Sequence, residues 1–203
     1  MQDFFESAVL LVVLLNPFLM SVYLIELIEQ LSRPAFTAVL IRATLISAII
    51  FALFAVAGDT IFRDVLQVRF AAFLIFGGIV FLVIAVRFVQ EGGGAIQVLR
   101  GDPEHLAGAI AMPFMVGPGT VSASVLAGSR MPVLVAIASI GVGLAATVIC
   151  VLGLKIIHDM VAKRNERLVQ RYVDVVGRIS ALIVGTIAVE LILKGVDQWI
   201  QGI

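Results

Sequence analysis

The chain has 203 residues, 61% hydrophobic and 14% charged, with acidic and basic side chains in balance and a mean hydropathy of +1.14. A soluble domain holds about 45–50% apolar and about 25% charged residues, so the composition excludes an ordinary soluble protein and points to an integral membrane one. No basic patch with interleaved aromatics offers a nucleic-acid surface, and the single cysteine, Cys150, excludes an internal disulfide and a Cys-rich metal site.

Met1–Glu6 is acidic where a secretory signal needs a basic region, so the first apolar run reads as a retained span. About 20 apolar residues cross a bilayer as a helix. Six runs qualify: roughly 7–28, 34–56, 70–89, 106–127, 132–154 and 172–195. The first contains Asn16-Pro17 near its centre, with Glu26 and Glu29 placed at the interface by its end. The third contains Gly77-Gly78. A Gly-rich connection, about 92–105, precedes the fourth, which carries Ala111-Met112-Pro113 and Gly117-Pro118-Gly119-Thr120. Two prolines and two glycines there forbid one continuous helix, because each proline removes a backbone donor and clashes with the preceding turn.

The fifth span has a small-residue face (Ala136, Ser139, Gly141, Gly143, Ala145) suited to close helix packing. Lys155–Arg171 reads as a solvated loop, and His105 and His158 fall in polar connections with no ligand-spaced partner. No metal or other cofactor is expected. The sixth span opens on Arg178, which like Arg69 reads as a snorkelling anchor. It also carries Glu190 well inside, where a charge costs about 2.5–3.5 kcal/mol unless it faces a cavity or the bundle interior. Glu190 is a candidate coupling residue; pairing with Lys194 one turn on, or a place nearer the interface, explains it equally well.

Lys and Arg accumulate in cytoplasmic loops. The first, third and fifth connections hold Arg33, Arg42, Arg87, Arg100, Lys155, Lys163, Arg164, Arg167, Arg171 and Arg178; the remainder of the 14 are Arg63, Arg69, Arg130 and Lys194. That bias places both termini on the outer, periplasmic side.

Leu74–Ile79 parallels Leu182–Ile187, and Asn16-Pro17-Phe18 parallels either Met112-Pro113-Phe114 or Gly117-Pro118-Gly119. Both registers stay open. Each unit has three spans, an odd number, so the second copy is inverted. The expected architecture is therefore all-α: a single transmembrane domain over 1–203, with six transmembrane helices as two inverted three-helix repeats, about 1–91 and about 106–203. The first and fourth helices are interrupted. Such paired interruptions are a sequence sign of an alternating-access transporter.

Asn16 reads as an N-cap and Pro17 as a first helical residue; Gly117-Pro118 reads similarly. Peptide groups freed in hydrocarbon need protein or a watery cavity around them, and two helix N-termini at that depth favour a carboxylate or other anion. The expected substrate-binding residues are Asn16, Pro17, Ser21, Pro113, Gly117, Pro118, Gly119, Thr120 and Ser122. A packing kink is the alternative, more natural for Pro17 alone than for two prolines flanked by glycines. Catalysis is not expected: no histidine lies in a span, Cys150 stands alone, and Ser122 and Ser124 lack a base. Direct ATP use lacks its phosphate-cradling loop.

Asn16-Pro17, Gly77-Gly78, Ala111-Met112-Pro113…Gly117-Pro118-Gly119-Thr120 and Arg178 together resemble the MarC family of six-span bacterial inner-membrane proteins, over nearly the whole chain. The resemblance implies an inner-membrane location. Through the SnatA-type branch, and through kinship with LysE-type exporters, it also implies transport of a small solute such as a neutral amino acid. Many members carry Asp-Pro-x-Gly at the first motif; here Asn16 and Leu19 stand in its place, which removes a midplane carboxylate and restricts backbone approach. Expected partners are the lipid bilayer, an amino-acid-like solute and a coupling ion, proton or sodium. The oligomeric state stays open, a homo-oligomer included. The competing readings are a transporter of an amphipathic or lipid-linked molecule and a non-transporting structural or regulatory membrane protein.

Overall fold

The structure, a computed structural model, describes residues 1–65, 67–91, 111, 115–162 and 166–201. It is all-helical, with no strand among those residues. The helices are α1 (Gln2–Leu15), α2 (Pro17–Tyr23), α3 (Ile25–Gln30), α4 (Arg33–Thr60), α5 (Phe70–Glu91), α6 (Pro118–Arg130), α7 (Val133–Ala162) and α8 (Glu166–Gln201).

Four stretches among the described residues are long and apolar enough to cross a membrane: Gln2–Val22, Arg33–Gly58, Phe70–Arg87 and Val133–Val161. They correspond to the first, second, third and fifth expected spans. The fourth expected span lies partly outside the described residues, Pro113 and the 92–105 connection with it. The sixth falls within α8, whose 36 residues give about 54 Å of helix at 1.5 Å per residue. The loop expected over Lys155–Arg171 is corrected: α7 continues to Ala162 and α8 begins at Glu166. Lys, Arg and Glu are good helix formers, so charge alone does not end a helix there.

The main core joins α1–α4, α6 and α7 through Leu11, Leu15, Met20, Ile28, Phe36, Leu40, Phe51, Val121 and Leu144. Burial alternates with exposure around α7 at helical spacing. Ala136, Ser139, Gly143 and Thr147 face inward, whereas Gly141 and Ala145 face away. The small face expected on this helix is therefore narrower than its composition. Gly143 lets α7 lie against the Ala8 carbonyl of α1, which a Cβ would approach to 3.0 Å.

Outside that core, α5 and α8 form a second pair. Gly78 sits against Ala188 and Ile192, Gly185 against Ala85, and Gly195 against Ala71 and Ile75. The numbers run in opposite directions, so the two helices are antiparallel. Glycine at each crossing lets the backbones approach closely, which drives association where lipid is as apolar as the helix surface. Outward side chains such as Ile49, Phe76, Leu134 and Ile149 remain exposed, as a lipid-facing surface requires.

The turn between α4 and α5 is held by Phe62, packed among Phe54, Phe70 and Phe73 with ring centroids 4.9 to 5.7 Å apart.

Candidate functional site

The first break lies between α1 and α2. Asn16 adopts the left-handed region (φ 44°, ψ 79°) and its N–H donates to the Val12 carbonyl, closing α1. Asparagine is one of the few non-glycine residues that visit this region readily. The same residue starts α2: its Oδ1 accepts from the Leu19 N–H at 3.1 Å, and Pro17 occupies the first helical position, where its missing donor costs nothing. Pro17, Leu19, Met20 and Ser21 are buried, and the Ser21 hydroxyl donates to the Phe18 carbonyl at 2.6 Å. The break is closed on itself.

The second break is built differently. Gly117 is extended (φ −125°, ψ 171°) and precedes Pro118, again the first residue of its helix. Thr120 serves as the cap from inside. Its Oγ1 accepts from the Gly117 N–H at 2.9 Å and lies 2.8 Å from the Met115 carbonyl. The N–H groups of Gly119 and Thr120 have no acceptor among the described residues. Pro17 and Pro118 hold the same place, the first position, in their helices. Gly77 and Gly78 acquire separate reasons: a Cβ on Gly77 would collide with the Pro118 ring, and one on Gly78 would meet α8. The Phe81 ring lies beneath Gly117, 2.7 Å from where its Cβ would be.

A cavity of about 1230 Å³ lies between α1 and α6 on one side and the α5–α8 pair on the other. Leu14 of α1 and Gly119 of α6 both line it, and a Cβ on Gly119 would stand 3.4 Å from Leu14. The cavity therefore touches the second break directly and ends, on α1, two residues before the first. Its walls are mostly Leu, Val and Ala, with polar groups that include Ser122, Thr186, Glu190, Lys194 and Arg130. Val13, Val86, Leu182 and Leu193 line it while remaining exposed, so it opens toward the side of the bundle.

Of the expected site residues, Gly119, Ser122 and Glu190 line this cavity. Asn16, Pro17, Ser21, Gly117, Pro118 and Thr120 shape its neighbourhood without lining it, and Pro113 lies outside the described residues. Glu190 pairs with Lys194 at 3.3 Å, both side chains more than half exposed.

Ser122 differs from every other hydroxyl around it. Ser21, Ser47, Thr120, Ser124, Ser139 and Thr147 are buried, and each donates to a backbone carbonyl. The Ser122 Oγ is equally shielded and has no partner among the described residues. A buried polar group left unpaired costs about 1–3 kcal/mol; Ser122 lines the cavity, although its Oγ is itself shielded.

A second polar cluster was not visible in the sequence. Where α3, α4 and α7 meet, Asp159 accepts from Arg33 at 2.7 Å and from Lys155 at 2.9 Å. The buried Lys155 ammonium also donates to the Ile28 carbonyl near the end of α3. His158, expected in a connection, instead lies on α7 beside Glu29 and Asp159. Among the described residues, no group of three or more His, Cys, Asp or Glu is placed to hold a metal ion.

Apolar helices with exposed apolar faces, broken at two proline-led starts around a cavity, define an integral membrane protein of the broken-helix kind. The model of the MarC family integral membrane protein matches residues 1–200, and the chain belongs to that family. It is similar to a UPF0056 membrane protein of Pyrococcus horikoshii, 28% identical over 150 residues, covering 72% of this chain and 73% of the relative. A UPF0056 membrane protein of Aquifex aeolicus is 29% identical over 127 residues, 59% of this chain and 58% of that one. The UPF0056 inner membrane protein YhgN of Escherichia coli is 22% identical across the full length of both chains. No solved structure matches.

Proposed function

We propose that this protein is a secondary transporter of the inner membrane, with six spans in two inverted repeats and both termini outside. Its substrate is a small solute that combines a carboxylate with an apolar group, a neutral amino acid in the first instance. Three observations support the reading. Pro17 and Pro118 lead their half-helices identically. The packing partners exchange with the halves: α2 against α7 and α8 corresponds to α6 against α4 and α5, while α4–α7 and α5–α8 map onto themselves. The cavity touches the start of α6, where unpaired N–H groups and the helix dipole favour a carboxylate.

The observation that carries the reading is Ser122, a cavity-lining residue whose shielded Oγ has no partner among the described residues, so that a side-chain rotation on binding would give it one. In the proposed pose the Gly119 N–H at the start of α6 holds the carboxylate, Ser122 bonds the polar end, and the apolar side chain lies along Leu14 and Leu191. Rocking of the α5–α8 pair against the core would expose the cavity to either side in turn, with Glu190 a candidate for proton coupling.

Uptake of labelled leucine, alanine and serine into proteoliposomes tests this. Ser122→Leu should abolish uptake, while Ser21→Ala, at the closed break, should leave it within about twofold; equal flux in both variants defeats the proposal.

The cavity's volume and its apolar, side-facing walls favour a second reading, movement of an amphipathic molecule entering from the bilayer. Failure of every amino acid to compete, with competition by a long-chain acyl compound, would select it.

A further inference from the structure

We propose that His158 is a proton-binding site that fastens α3 to α7 when charged, independently of any transported solute. The imidazole is largely buried, with 13% of its side chain exposed, and neither ring nitrogen has a hydrogen-bond partner among the described residues. Two carboxylates flank it: Glu29 Oε1 of α3 lies 3.9 Å from Nε2, and Asp159 Oδ1 lies 3.6 Å from Nδ1. The other charged groups of the cluster among the described residues are Arg33 of α4 and Lys155 of α7, and both are already engaged by Asp159. Glu29 is the carboxylate with no other ion pair among the described residues.

In its neutral form, imidazole has one donor and one acceptor. At 3.9 Å the neutral ring gains almost nothing from Glu29. Protonation makes both nitrogens donors and places a positive charge between two negative ones. The pair with Glu29 is the one gained, because Asp159 is already neutralised. A small closure of α3 onto α7 converts that approach into a charge-assisted hydrogen bond. The Lys155–Ile28 bond already joins the same two helices, so the proton adds a second tie beside a permanent one. The tie is present below the titration point of His158 and lost above it.

α3 follows the first break through α2 and holds few contacts of its own, so its protection from hydrogen exchange reports the tie. Purified full-length protein would be compared at pH 5.5 and pH 7.5, with intrinsic exchange rates corrected. Wild-type amides in α3 should be about fivefold better protected at the lower pH, about 1 kcal/mol at 25 °C. His158→Gln and Glu29→Gln should each abolish that difference while leaving protection at pH 7.5 unchanged. The chain has two histidines, so a histidine NMR titration with His105→Gln assigns the His158 signal directly. Its midpoint should fall in Glu29→Gln. Equal pH response of α3 in wild type and both variants, or a His158 midpoint indifferent to Glu29→Gln, overturns the proposal. If His158→Gln does not fold, Glu29→Gln and the titration decide it alone.

Discussion

The two breaks begin alike and end differently. Both place proline at the first position of a half-helix, but Asn16 closes its break with its own amide in a left-handed backbone, whereas Gly117 relies on the hydroxyl of Thr120, three residues on. The first is buried and satisfied. The second leaves Gly119 and Ser122 on a cavity wall. Proline decides where a membrane helix restarts; the residue before it decides whether the restart is sealed or left approachable.

The largest expected effect concerns the seat of the second break. Gly77→Leu forces side-chain volume into the Pro118 ring and should destabilise the protein by about 3 kcal/mol, the upper part of the range for overpacking. Gly141→Leu, where nothing lies within 4 Å, is the control and should leave thermal unfolding in detergent unchanged. Similar melting of the two variants would break the claim that Gly77 seats the break.

Next is the internal cap. Thr120→Val keeps the shape but strands the buried Gly117 N–H, an expected cost of about 1–3 kcal/mol by denaturant-induced unfolding. Thr120→Ser should recover most of it.

Asn16→Ala removes a cap and places a Cβ residue poorly suited to φ 44°, costing about 1–2 kcal/mol. Asn16→Gly relieves the backbone alone and should fall between alanine and wild type in the same unfolding series. Asn16→Asp keeps the cap and should unfold like wild type. A stable alanine variant would show that the first break is held by packing instead.

The smallest effect sharpens the comparison from the other side. Gly119→Ala meets only ordinary contacts at 3.4 to 3.6 Å, so stability should stay within about 0.5 kcal/mol while substrate flux falls.

The positions of both breaks were legible because proline chemistry is local: Asn16, Pro17, Gly117 and Pro118 act on their immediate neighbours. Apolar length likewise marked α4, α5 and the body of α7. What the sequence hid was long-range. Gly77 and Gly78 were visible as a pair, but not that one receives the Pro118 ring and the other α8. The charged run after Lys155 combines the polarity of a loop with the propensity of a helix, and the propensity prevails. His158 was set aside because Glu29 sits on another helix; Arg33 and Asp159, in the same cluster, are 126 residues apart. The unpaired state of Ser122 could not be read either, since Ser122 and Ser124 share one stretch with Thr120 and differ only in what each hydroxyl reaches.

The most direct measurement is solute binding to purified wild-type and Ser122→Leu protein, read by thermal shift with leucine and alanine. Ser122→Leu removes a hydroxyl that bonds nothing and fills the cavity, so the unliganded variant should melt at or above the wild-type temperature. Wild type should gain stability with added solute, and the variant should gain none. An equal ligand-induced shift in both would place the solute elsewhere and contradict the account.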